Sequence, residues 1–464
     1  MLALIALLAA PPYSPEVATR LIGGALDDGV AYARLAELTD TIGARLSGSP
    51  AAAAAVQWAL RRFQEDGAAV RAEPVKVPHW VRGEERAEVL AARGMLGHEL
   101  AVTALGGSPG TPPGGLTAEV IEVRSIAEVQ SLGGRAKGKI VFFNHDMSSG
   151  SGKSGYAELS PLRNHGPAEA AKAGAAAALV RSLATASLRD PHTGATSFEE
   201  GAAKIPAAAV SVEDAELLHR LLQRGPVQVR LGLGCRSLAD VESANVVADV
   251  RGREKPDEMV LLGAHLDSWD LASGAIDDGA GVVIVMEAVR LIARLPQPPR
   301  RTVRAVLFMN EENGLAGGKE YARAHAAEAD RHVAALESDA GAGRPLSVAL
   351  RGADGVQSML APWMPPLEPL GAAGFSEGAG GADIGPLGKL GVPFAGVQQD
   401  TSRYFDWHHS AADTLDKVRP PELAQTAAAV AWVAYVLAEM PGTLPRTPPK
   451  PTAPAGSRPA AQRP

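Results

Sequence analysis

The stretch Thr302–Gly314, TVRAVLFMNEENG, sets the reading of the chain. Its first eight residues, Thr302 to Met309, suit a buried strand, yet they run directly into two adjacent carboxylates, Glu311 and Glu312. Asn and Gly end strands because they accept turn backbone angles; glutamate has no such reason to stand there. The pattern recurs on either side. MVLLGA (Met259–Ala264) and HVAALES (His332–Ser338) are further apolar runs, separated by segments of helical character. Strands that are apolar on both faces and alternate with helices indicate an α/β fold, a three-layer sandwich in which a mostly parallel sheet lies between helices.

In an open sheet of this kind ligands bind where the strands end at their carboxyl edge. In chain order the three runs end in His265-Leu266-Asp267, in Glu311-Glu312, and in Asp339. Asp277-Asp278 precede Gly279 and a helix with Val282, Val285, Met286 and Val289 on one face, so both acids lie at a loop-to-helix entrance, where Asp278 also suits a cap. Near the C-terminus YFDWHHSAADT adds His408 and His409 and, four residues on, Asp413. Each piece alone has an ordinary structural reading. Together they would repel one another without cations, and imidazoles with carboxylates are the donors a divalent metal site needs.

GAHLDSWD, GAIDDGAG, MNEENG, ESDAG and WHHSAADT, in this order and spacing, resemble the five metal-site motifs of the co-catalytic zinc exopeptidases related to bacterial leucyl aminopeptidase. The likeness extends to RLSGS (Arg45–Ser49), VPHWVRGEE (Val77–Glu85), GTPPGG, DPHTG and VEDAE, and leaves out only the start and the tail. It implies two Zn2+ per chain, with His265 and Asp339 on one, Glu312 and His409 on the other, and Asp277 bridging them. It implies Glu311 as general base, Asp267 as a carboxylate that orients the His265 imidazole, and His408 as a hydrogen-bond donor to the tetrahedral oxyanion. A cis peptide between Asp277 and Asp278 follows from the same likeness. So do short peptide substrates, notably dipeptides with a free N-terminus, with an aminopeptidase on longer peptides as the alternative, and a homodimer.

Outward from the site, SPAAAAAVQWALRRFQEDG from Ser49 places Val56, Leu60 and Phe63 at helical spacing, with Gly67 to end the helix. GGSPGTPPGG around Gly106 marks a crossing between domains. The section after it, with strands GKIVFFN (Gly138–Asn144) and AALVR (Ala177–Arg181) and an Ala-rich helix from Gly166 between them, reads as a small α/β unit ending near Leu238. It resembles the protease-associated domain inserted in this family. The expected organisation is a signal-like segment 1–14, a discontinuous catalytic domain 15–105 and 239–442, the insert 106–238, and a disordered Pro-rich tail 443–464.

Across 464 residues, 46% hydrophobic and 21% charged content is that of a globular protein, and a net charge of -7 speaks against a nucleic-acid partner. The apolar run Leu2–Ala10 is too short to span a bilayer, so no stable membrane insertion is expected; it suits an export signal and a secreted or periplasmic location. Cys235 stands alone, so no intrachain disulfide forms. Three rival readings fare worse. GFSEG (Gly374–Gly378) matches G-x-S-x-G formally, but a serine nucleophile there needs a strand leading into the turn and a helix leaving it. A metal-free receptor on the same scaffold would have lost ligands, whereas all five positions hold competent residues. A glutaminyl cyclase-like transferase would lack the insert.

Overall fold

The computed structural model describes residues 11–92, 97–147, 152–186, 188–351 and 355–446. The apolar run at the start (Leu2–Ala10) and residues 447–464 of the Pro-rich tail lie outside the described residues.

Five strands form the central sheet: β1 (Ala69–Val81), β2 (Arg236–Val250), β3 (Lys255–His265), β4 (Arg301–Phe308) and β5 (His332–Glu337), in the order β1-β2-β4-β3-β5. The three apolar runs are its parallel part, with β3 between β4 and β5. On the β4 side the sheet continues antiparallel through β2 and β1. Beyond β5, a parallel bridge from Ala335 to Phe394 leads to a three-stranded sheet of Pro345–Leu350, Phe375–Glu377 and Ala395–Gln399. Side chains alternate in β4: Val303, Ala305 and Leu307 pack on one face, Val306 and Phe308 on the other. Both faces are covered, which is why the strands read as unbroken apolar runs rather than as alternation.

Helices α1 (Pro50–Glu65), α2 (Ala280–Ala293) and α3 (Pro420–Glu439) share the first core, and the short helices Ala316–Ala324 and Gly385–Lys389 share the second. The Ser49 hydroxyl caps α1, accepting the Ala52 N–H at 3.1 Å. In α2 the expected one-faced stripe widens until Ala280 to Ile292 are all buried, because the helix is enclosed by the sheet, α3 and the N-terminal helices. Each Val, Leu or Ile so buried contributes roughly 2 kcal/mol. Glu287 and Arg290 are buried with them and are paired, Arg290 Nε donating to Glu287 at 2.8 Å.

The antiparallel ribbon of β1 and β2 runs from Ala69 opposite Asp249 to Val81 opposite Arg236, and at its far end it carries the insert. There an eight-stranded sheet follows the order His98–Leu100, Glu85–Ala91, Gln228–Leu233, Leu116–Val123, Ile140–Phe143, Ala177–Arg181, Ala207–Val210, Val102–Ala104. Its two edge strands are separated only by Ala101, so the sheet bends round on itself. This sheet draws its strands from the stretch between Val81 and Arg236, where an insert bounded at 106 and 238 was expected. GGSPGTPPGG turns the chain inside the insert, where Thr111 N–H donates to Leu233 O at 2.9 Å. GFSEG is a short edge strand against Val348–Leu350, and the next helix begins only at Gly385, so the strand-turn-helix elbow of a serine hydrolase is not formed.

Candidate metal centre

The parallel strands end at one edge, and the side chains that follow them converge. His265 is the last residue of β3; Glu311 and Glu312 follow β4; Asp339 follows β5; Asp277 and Asp278 lie ahead of α2, joined by a cis peptide bond. His408 and His409 come from the loop before α3. The Asp277 carboxylate stands in the middle. Its Oδ1 lies 3.1 Å from His265 Nε2, which is itself 3.7 Å from Asp339 Oδ1. Its Oδ2 lies 3.2 Å from His409 Nε2, which is 3.0 Å from Glu312 Oε2. One carboxylate thus faces two imidazole-carboxylate pairs, one with each oxygen.

His408 stacks on His409 with ring centroids 3.5 Å apart, and its Nε2 is 3.6 Å from Asp277 Oδ2. It approaches that oxygen less closely than His409 does and, among the described residues, has no second carboxylate in contact. Glu311 opens onto a cleft of about 410 Å³ bounded on the other side by Tyr156, Ser160 and Arg163 of the insert.

The loops are fixed by buried hydrogen bonds. Asp278 caps α2, accepting Gly281 N–H at 3.1 Å, and accepts His265 N–H at 3.1 Å with its other oxygen. A Cβ on Gly281 would stand 1.9 Å from the Ser338 carbonyl oxygen, so the β5 end can approach this helix only over glycine. Asp413 accepts the N–H groups of Ile276 at 2.6 Å and Asp277 at 3.1 Å. The side chain of Arg45 is fully buried and donates to the carbonyls of Leu266 (2.7 Å), Ser273 (2.6 Å) and Gly274 (2.9 Å), tying down the segment between His265 and Asp277. Asn310, at φ 74, forms the turn after β4 and donates its amide to Ser47 Oγ at 2.7 Å.

One expected contact differs. The partner of His265 Nδ1 is the backbone carbonyl of Asp267 at 3.0 Å, while the Asp267 carboxylate is 4.0 Å away. That carboxylate is taken by the N–H groups of Asn310 (2.7 Å) and Glu311 (3.1 Å), so it fixes the loop that bears Glu311 rather than the imidazole. Arg45, Ser47 and Asn310 are site-shaping residues for which the sequence pointed to no role, and Asp413, counted there among the converging carboxylates, holds backbone N–H groups instead. RLSGS carried a signal by likeness, but a single Arg more than two hundred residues from its acceptors has no spacing that reveals its task.

The charges of the cluster do not balance by themselves. Burial, with Asp277 beside them, pushes both Glu312 and Asp413 up to about 7. Burial also raises Asp278 and Glu311 well above the carboxylate range, the latter with the charges of Asp339 and Glu312 added. Asp277 is held low: burial opposes its ionisation, but His265 and His409 outweigh it. Glu312 Oε1 is buried with no hydrogen-bond partner among the described residues. Crowded carboxylates, two imidazole nitrogens and an unpartnered buried oxygen fit divalent zinc, which takes these donors and supplies the missing positive charge.

Residues 245–434 match peptidase family M28. Carboxypeptidase Q of Mus musculus is 40% identical over 418 residues, covering 90% of this chain and 87% of that protein. A crystal structure of a peptidase M28 precursor from Shewanella amazonensis aligns with a TM-score of 0.89 at 42% identity, over 94% of this chain and 99% of the other. An aminopeptidase from Aneurinibacillus sp. strain AM-1, 23% identical over 92% of this chain and 98% of that one with a TM-score of 0.65, shares the fold. On these likenesses, and with imidazole and carboxylate side chains converging at its strand ends, the chain belongs to peptidase family M28.

Proposed function

We propose that this zinc peptidase is an exopeptidase of short peptides, dipeptides with a free N-terminus foremost, working with two zinc ions. The observation that carries the reading is Asp277, with one carboxylate oxygen toward His265 and the other toward His409. His265 and Asp339 would hold one ion and Glu312 and His409 the other, with Asp277 shared. Three carboxylate charges then stand against four positive ones. When bound, the ions lower the pKa of the attacking water toward about 7 and polarise the scissile carbonyl.

The side chains do the rest. Glu311, open to the cleft, takes the proton of the attacking water and returns it to the leaving amine. Asp267 aims that base through its bonds to the Asn310 and Glu311 N–H groups. Burial beside His409 keeps His408 neutral, with its pKa well below the usual imidazole value, and it donates to the oxyanion. The insert, of protease-associated type by resemblance, closes the cleft through Tyr156 and Arg163. Export, from the apolar start, and a homodimer belong to the same reading.

A second reading, aminopeptidase action on longer peptides, draws on a neighbouring cavity of about 340 Å³ that shares Ala195 and Ser197 with the cleft. Hydrolysis rates on dipeptides, dipeptides blocked at either end, and longer peptides decide between the two. Preference for free dipeptides is expected. Equal turnover of longer peptides moves the assignment to the second reading, and turnover of N-blocked peptides overturns both.

A further inference from the structure

The two histidines facing Asp277 are held from behind in different ways. Each has a backbone carbonyl at Nδ1, an arrangement that keeps the proton there and leaves Nε2 free to bind metal. For His265 that carbonyl belongs to Asp267, two residues along the same chain segment. For His409 it belongs to Thr193 of the insert, at 3.3 Å. Thr193 also donates its own N–H to His409 O at 2.8 Å, so one insert residue grips this histidine at both ring and backbone.

Behind Thr193 stands Arg163, 6% exposed, on the insert helix Gly152–Lys172. Its Nη1 donates to the same Thr193 carbonyl at 3.2 Å and lies 3.4 Å from His409 Nδ1, while its Nη2 donates to Tyr156 Oη at 2.7 Å. The loop bearing the histidine is held again at Thr185, whose N–H and hydroxyl donate to Phe405 O (3.2 Å) and Asp406 (2.8 Å). One side of the centre is therefore complete within the catalytic domain. The other is complete only with the insert in place.

We infer that docking of the insert and metal occupancy on the His409 side are coupled, with Arg163 the positioning residue that holds the Thr193 carbonyl against the ring. The inference rests on the two-metal reading above. Linkage makes the coupling reciprocal: a metal on that side tightens the insert as much as the insert tightens the metal.

Zinc titration of the full chain against a competing chelator tests this without reference to activity. The two dissociation constants are assigned by Asp339→Asn, which weakens only the His265 side. Arg163→Met removes the guanidinium. Gly194→Ala displaces it from a different position, since a Cβ there, at φ 139, would stand 2.2 Å from Arg163 Cζ. Both are expected to weaken the His409-side ion by about 10- to 100-fold, the usual effect of losing a group that orients a ligand, and to leave the other constant unchanged. Arg163→Lys, which keeps a donor toward Thr193, is expected to recover part of the loss. Zinc should also slow amide exchange across residues 185–194 in the wild type but not in Glu312→Gln. Wild-type constants in both Arg163→Met and Gly194→Ala, or equal weakening on both sides in all three variants, would overturn the inference. A wild-type chain that binds fewer than two ions overturns the reading beneath it, and the inference with it.

Discussion

Glu311 and Glu312 are neighbours in the chain with different surroundings. Glu312 is buried against His409, whereas Glu311 is partly open to the cleft and held through its N–H by Asp267. Glu311→Gln keeps the shape and one oxygen but removes the base, so metal content should stay at the wild-type level while kcat falls by about 10²- to 10⁴-fold. Glu312→Gln replaces a charged ligand by a weak neutral one, so zinc affinity should fall on one side and excess zinc should restore part of the activity. Equal metal loss in the two variants would make Glu311 a ligand as well. That both carboxylates belong to a site was legible from position, because carboxylates at the end of an apolar strand have no structural reason to be there; the division between base and ligand came only from the family resemblance. The task of Asp267 was not, since nothing in sequence distinguishes a carboxylate facing an imidazole from one facing two N–H groups beyond it.

The loop from Leu266 to Gly279 keeps its shape through Arg45 and Asp413. Arg45→Met would leave the carbonyls of Leu266, Ser273 and Gly274 without their donor, each at a cost of about 1–3 kcal/mol, so a drop of several degrees in Tm and weakened zinc binding are expected together. An unchanged Tm would mean that water replaces the guanidinium freely. At the sheet edge, His325 bonds Glu73 of β1 at 3.0 Å and Glu328 at 2.6 Å. Burial disfavours its charge, but the two carboxylates prevail and its pKa is raised above 6.5. Stability from this contact is therefore fully present below about pH 6.5 and lost as pH rises through the raised value. His325→Ala should cost more stability at pH 6 than at pH 9, which denaturant unfolding at the two values will show; the opposite order would mean the ring is neutral in the folded state. The strands of the parallel sheet were readable because both their faces are buried. The extent of the second sheet was not legible, because Pro and Gly serve turns inside a domain as readily as between domains, whereas the pairing of Glu85–Ala91 with Gln228–Leu233 leaves no local trace.

Over the whole molecule, the side chains of the proposed site come from segments spread between His265 and His409, and the insert adds contacts from Arg163 and Thr193. Sequence order together with the family resemblance was enough to assemble the first set, most of whose members stand at a strand or helix end, while His408 and His409 come from a loop. The second set was invisible, because a backbone carbonyl such as that of Thr193 has no residue type to betray it. The central claim is that two ions, shared through Asp277, make the site competent to cleave short peptides. Titrating zinc into the metal-stripped chain while following hydrolysis of a free dipeptide tests it most directly. Activity should be absent at the start and reach its full value only as the second equivalent per chain binds, and Asp277→Ala should fail to reach it. Full activity in the stripped chain, or a plateau after one equivalent with wild-type turnover, would contradict a two-metal centre.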